Sequence, residues 1–82
     1  MPLTVHTEKP AWDHAYECDG GHKSCGELIL DLKLFVQDLP SGADILVIAH
    51  DPGAWIDIPA WCLMTENPLL AEAHPYYLIQ RR

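Results

Sequence analysis

Positive charge is scarce in this chain. Twelve Asp and Glu outweigh five Lys and Arg, giving a formal net charge of −7 over 82 residues. A surface of that sign repels a phosphate backbone, so direct nucleic-acid binding is not expected. The Arg81–Arg82 pair is too small to reverse this. A basic protein partner suits the charge better, through steering more than through affinity. Long apolar runs are also missing. Stretches such as Ile45–Ala49 fall far short of the roughly 20 residues that span a bilayer, so no membrane partner is expected. No basic segment followed by an apolar one opens the sequence, and no secretory signal is read. The cysteine count, three, is odd, so no disulfide framework can use them all. A reducing cytoplasm is the expected compartment. Internal repeats and low-complexity segments are absent, and nothing requires a cofactor.

What remains is enough for one small domain. Residues 1–12 carry polar groups and two prolines without a clear period, and they read as an N-terminal tail. Residues 13–82 read as a single domain. His14–Asp19 alternates as a short strand, with Ala15 or Tyr16 and Cys18 on one face and Glu17 on the other. Asp19-Gly20-Gly21-His22-Lys23 is a loop. A helix then runs from Cys25 to about Asp38, its apolar stripe at Leu28, Leu32, Phe35 and Leu39. Pro40-Ser41-Gly42 ends it.

Asp44–Ala49 is the strongest strand, apolar almost throughout and therefore expected to be buried on one or both faces. After Asp51-Pro52-Gly53, Asp57 reads as the N-cap of a second, shorter helix with Pro59 in its first turn. Ile58, Trp61, Cys62 and Thr65 form its apolar stripe. Leu69–His74 and Tyr76–Gln80 are two closing strands around Pro75, and the last offers an edge for pairing or for solvent. The order strand, helix, strand, helix, strand, strand implies an α+β, two-layer sandwich. Two helices pack on one face of a four-stranded mixed sheet.

The candidate functional residue is Cys25. Ser24 and Glu27 have the S-x-x-E spacing of a capping box, in which each side chain serves the other's backbone N–H. That starts the helix at Cys25. A thiol in a first helical turn meets unpaired N–H groups and the positive end of the helix dipole, which favour the nucleophilic thiolate. Glu27 opposes this from close by in sequence, while His22 and Lys23 offset it if they face the sulfur. These four residues, Ser24, Glu27, His22 and Lys23, are the expected support for Cys25. Cys18 and Cys62 read as core filler and Trp61 as core; Trp55 follows a Pro-Gly turn that can expose it, and a partner-binding aromatic anchor is one reading of it beside an ordinary surface ring. Asp51 and Asp57 read as helix caps rather than catalytic acids.

Several stretches together resemble the TusA/SirA family of small sulfurtransferases and sulfur carriers. They are Asp19 to Cys25, Leu39-Pro40-Ser41-Gly42, Asp51-Pro52, Asp57-Ile58-Pro59-Ala60-Trp61-Cys62 and Tyr77-Leu78-Ile79. The resemblance spans roughly residues 15–80. It implies the same two-layer fold and a persulfide carried on Cys25. It also implies a sulfur-donor protein, such as a cysteine desulfurase or rhodanese, and an acceptor protein in a sulfur relay. Such relays feed tRNA thiolation, molybdenum-cofactor enzymes or sulfur oxidation. The family motif Cys-Pro-x-Pro is here Cys25-Gly26-Glu27-Leu28, with both prolines lost.

Two other readings stay open. One is a non-catalytic protein-binding or regulatory module on the same fold, favoured by the lost prolines. The other is a thiol-redox or metal-responsive protein using Cys18, His22 and Cys25. These form C-x3-H-x2-C, with His6 or His14 as a fourth ligand. That spacing is not a strong zinc pattern.

Overall fold

Strand β2 (Asp44–Ile48) is the centre of the molecule. In a computed structural model that describes residues 8–82, it is hydrogen-bonded on both sides within a four-stranded sheet of order β1-β2-β4-β3. The other strands are β1 (Tyr16–Asp19), β3 (Leu69–Ala73) and β4 (Tyr76–Gln80), and the helices are α1 (Cys25–Gln37) and α2 (Ala54–Thr65). β1 pairs with β2 in parallel, and β4 runs antiparallel to both β2 and β3. The expected sandwich with its element order is therefore present. Residues 1–7 of the expected tail, His6 included, lie outside the described residues. In the rest of that segment Lys9 forms an ion pair with Glu17.

The sequence pattern explains the layering. On one face of the sheet, Ile45, Val47, Tyr77 and Ile79 meet Leu28, Leu32 and Val36 of α1 and Ile58, Trp61 and Cys62 of α2. Alternation along the strands sends Leu46, Ile48 and Leu78 to the other face, where they are buried too. β2 is thus covered on both sides, as its nearly continuous apolar run requires. Each fully buried Leu or Ile contributes about 1.5–3 kcal/mol relative to exposure. No helix among the described residues is long and apolar enough to cross a membrane.

Two expectations are corrected. Helix α2 begins at Ala54, a full turn before Ile58, and Asp57 lies in its first turn rather than at its cap. The Asp51 side chain accepts the Gly53 N–H at 2.8 Å, and Gly53 O accepts the Asp57 N–H at 2.9 Å. That winds the Asp51-Pro52-Gly53 stretch into the helix. Pro59 consequently falls inside α2, where it leaves the Trp55 carbonyl without its helical donor. The last strand is not an edge: β4 sits between β2 and β3, and the edges are β1 and β3.

Two glycines near α1 have opposite surroundings. Gly20 is buried, and a Cβ there would lie 2.9 Å from the Leu28 side chain and 3.0 Å from the Ile48 carbonyl oxygen. Gly26, in the first turn of α1, has open space around the same position. Gly20→Ala is expected to destabilise the fold by about 1–3 kcal/mol through overpacking against backbone. Gly26→Ala is expected to stabilise it by roughly 0.5–1 kcal/mol through helix propensity. Urea unfolding of the two variants checks the opposite signs.

Candidate functional site

Because β1 and β2 are parallel, they end together, with Asp19 beside Ile48. The loops that follow them lead to the starts of α1 and α2. β4 runs the other way, so Tyr76 is also paired with Ile48, and the β3–β4 turn at His74-Pro75 reaches the same end. That peptide bond is cis. Three loops therefore converge at one end of the sheet, the end where open α/β sheets usually hold their sites. Cys25 stands there as the first residue of α1.

The start of α1 is built differently from the capping box. Ser24 Oγ accepts the Glu27 N–H at a long 3.4 Å, and among the described residues the Glu27 carboxylate makes no return bond. The Cys25 N–H instead donates to Asp51 Oδ2 at 2.8 Å. The other oxygen of the same carboxylate accepts the Gly53 N–H. Asp51 thereby caps both helix starts. Those two N–H bonds hold its carboxyl below the usual carboxylate range, with His74 adding to the effect.

The thiol is neither exposed nor ionised. Cys25 is only 4% exposed. Burial first, then the Asp57 carboxylate, and lastly Asp51 push the Cys25 thiol up to about 12. Desolvation and the two carboxylates act against the helix dipole at this thiol. The opposing carboxylates are Asp57 and Asp51, not Glu27.

His22 and Lys23 do not offset them. Lys23 is ion-paired with Asp31, and the His22 ring lies beside His50 with centroids 6.1 Å apart. Of the four expected supporting residues, His22, Lys23 and Ser24 line a cleft of about 380 Å³ with His50, Asp51 and Pro52. Glu27 is exposed outside it.

Sequence reasoning missed a buried polar pair at this end of the sheet. His74 is buried, and its Nδ1 is hydrogen-bonded to the Tyr77 hydroxyl. Burial and His50 hold His74 toward its neutral form, with Asp51 pulling the other way. Burial, then Glu72 and Cys25, push the Tyr77 hydroxyl up. The one signal in the sequence was polar side chains at His74 and Tyr77 flanking a proline turn between apolar strands.

The remaining cysteines are free, as is Cys25. Cys18 is half-buried against the core, and burial raises its thiol above the ordinary value. Cys62 is in the core with its thiol pushed up to about 11, again mainly by burial. Cys18, His22 and Cys25 do not form a metal-holding group, and the described residues contain no other cluster of three such ligands. His14 instead donates to the Trp12 carbonyl at 2.8 Å and faces Glu17. Trp61 is buried and Trp55 exposed, as expected. No protein-family model matches the chain.

The raised Cys25 value carries a sign. An unfolded cysteine ionises near 9.0, and the folded one near 12. Between these values the unfolded chain sheds a proton that the folded chain keeps. This contribution to stability is whole below pH 9 and falls as pH rises toward 12. Asp57→Asn removes, at an exposed position, the carboxylate that raises this thiol most. The Cys25 alkylation rate, followed by peptide mapping, is expected to begin its rise at lower pH in that variant. An unchanged pH profile would show that burial and Asp51 hold the proton without Asp57.

Proposed function

We propose that this chain is a sulfur-carrier protein in which Cys25 holds persulfide sulfur between a donor and an acceptor protein. The observation that carries this reading is the position of Cys25. It is the first residue of α1, next to Ser24 and bonded through its N–H to Asp51, two residues that line the cleft between the β1–α1 and β2–α2 loops. The βαβαββ order and the residue stretches that resemble the TusA/SirA family support it. In the reaction, the Cys25 sulfur attacks the outer sulfur of a donor persulfide. A new S–S bond forms on Cys25 as the donor's S–S bond breaks, and the donor leaves as a thiolate. The Cys25 proton passes to Asp57 or to water. An acceptor thiol then attacks the outer sulfur and releases the Cys25 thiolate. By this reading the resting thiol is protonated and shielded, and donor docking opens access to it.

A second reading, a non-catalytic protein-binding module, is favoured by one observation: Cys25 is buried beside two carboxylates. Both resist formation of a nucleophile. A cytoplasmic location accords with three unpaired cysteines.

Intact-protein mass spectrometry separates the two. The protein is incubated with cysteine desulfurase plus cysteine, and separately with rhodanese plus thiosulfate. Carriage predicts one added sulfur atom that maps to Cys25, is removed by reductant and is absent in Cys25→Ser. No adduct from either donor, in a protein that remains folded by circular dichroism, would leave the binding module.

A further inference from the structure

Two hydrogen bonds tie the segment that follows β1 to the segment that follows β2. The Gly20 N–H donates to the Ile48 carbonyl at 2.8 Å, and the Cys25 N–H donates to Asp51 Oδ2 at 2.8 Å. His22 lies between the two donors in sequence, and His50 lies between the two acceptors. The backbone therefore holds these histidines opposite each other, one on each loop. Their ring centres are 6.1 Å apart, with the planes inclined by 35°. Both residues are exposed, and both line the cleft of about 380 Å³. Among the described residues, the histidine rings that hydrogen-bond to protein are those of His14 and His74. The ring nitrogens of His22 and His50 are left to solvent.

The spacing of the pair suits ligation of one ion. An imidazole bound to zinc through nitrogen at about 2.0–2.1 Å has its ring centre roughly 3 Å from the metal. Two such rings on one ion have centres about 5–6.5 Å apart, from the tetrahedral to the linear arrangement. The observed 6.1 Å falls in that range. Aromatic attraction explains the pair less well, because a 35° inclination is neither an offset stack nor an edge-to-face contact. The charges nearby favour a cation. Asp51 lines the same cleft, and its two N–H bonds hold its carboxyl below the usual carboxylate range. The Lys23 ammonium, which also lines the cleft, is ion-paired with Asp31.

We infer that His22 and His50 form a two-histidine site for a divalent transition cation, which clamps the β1–α1 loop to the β2–α2 loop across the cleft. Imidazole selects borderline cations such as Zn2+, Cu2+ and Ni2+ over Mg2+ and Ca2+, which take oxygen ligands. No third His, Cys, Asp or Glu among the described residues completes a set with the pair, so water fills the remaining positions. The inference does not rest on Cys25 carrying sulfur, since both ligands are exposed imidazoles and the thiol is buried.

The test is a Zn2+ titration of the metal-free, reduced full chain, followed by calorimetry and by NMR of the isotope-labelled protein. The expected result is one Zn2+ per chain, with ring-nitrogen shifts at His22 and His50 and amide shifts concentrated over residues 20–25 and 48–53. Excess Mg2+ is expected not to compete. His22→Gln and His50→Gln, both at exposed positions, are each expected to weaken binding at least about tenfold while the rest of the amide spectrum is kept. His14→Gln, outside the cleft, is expected to bind as the parent chain does. Full binding by either of the first two variants, ring shifts centred on another histidine, or competition by Mg2+ would each overturn the inference. So would a zinc-bound cysteine, revealed by its Cβ shift, or the absence of binding.

Discussion

The Asp51 carboxylate is the constraint on which this end of the molecule depends. One oxygen takes the N–H of Cys25 and the other the N–H of Gly53, each at 2.8 Å. Two helix starts that belong to different crossovers are thereby tied to one side chain. An anion at a helix N-terminus satisfies orphan donors and meets the dipole favourably, and here one anion does so twice. The cost falls on the chemistry. The charge that anchors α1 sits beside the first residue of α1 and, together with Asp57, keeps the thiol protonated. The electrostatics that build the corner and those that would ionise Cys25 are opposed.

This opposition gives the cleft its character. Its lining is mixed: two histidines, a lysine already committed to Asp31, a serine and Asp51. Cys25, His74 and Tyr77 are buried, and burial favours the neutral form of each. Asp51 and, in the first turn of α2, Asp57 would be felt by any anion approaching the sulfur.

Local pattern was enough to read most of the fold. The Leu28–Leu32–Phe35 spacing defines α1, and the apolar run of β2 defines a strand buried on both faces. The alternation of Tyr16, Glu17 and Cys18 orients β1. The start of α2 was misread because Asp57-Ile58-Pro59 is a strong local start signal. The true start is held by Asp51, whose second partner, Cys25, lies 26 residues away. The same distance explains the site. Glu27, His22 and Lys23 are neighbours of Cys25 in sequence, and none of them sets its charge. Asp51, Asp57 and the His74–Tyr77 pair arrive from other loops, and no spacing rule connects them to the thiol. Pairing of Lys23 with Asp31, one helical turn and more away from the cysteine, was equally invisible.

The central position of β2 has a consequence for how the chain assembles. The β3–β4 hairpin is local and closes through a two-residue turn, but an isolated two-stranded hairpin is marginal in water. β1 and β4 both need β2, and each must close a long loop to reach it. The segment β1–α1–β2 therefore lacks the strand that covers one side of its inner edge, and α2–β3–β4 lacks the strand on which its hairpin leans. Neither half is a folding unit. A cut in the loop between β2 and α2 would yield two fragments that regain structure only by finding each other, so the domain gains or loses its order as one cooperative whole.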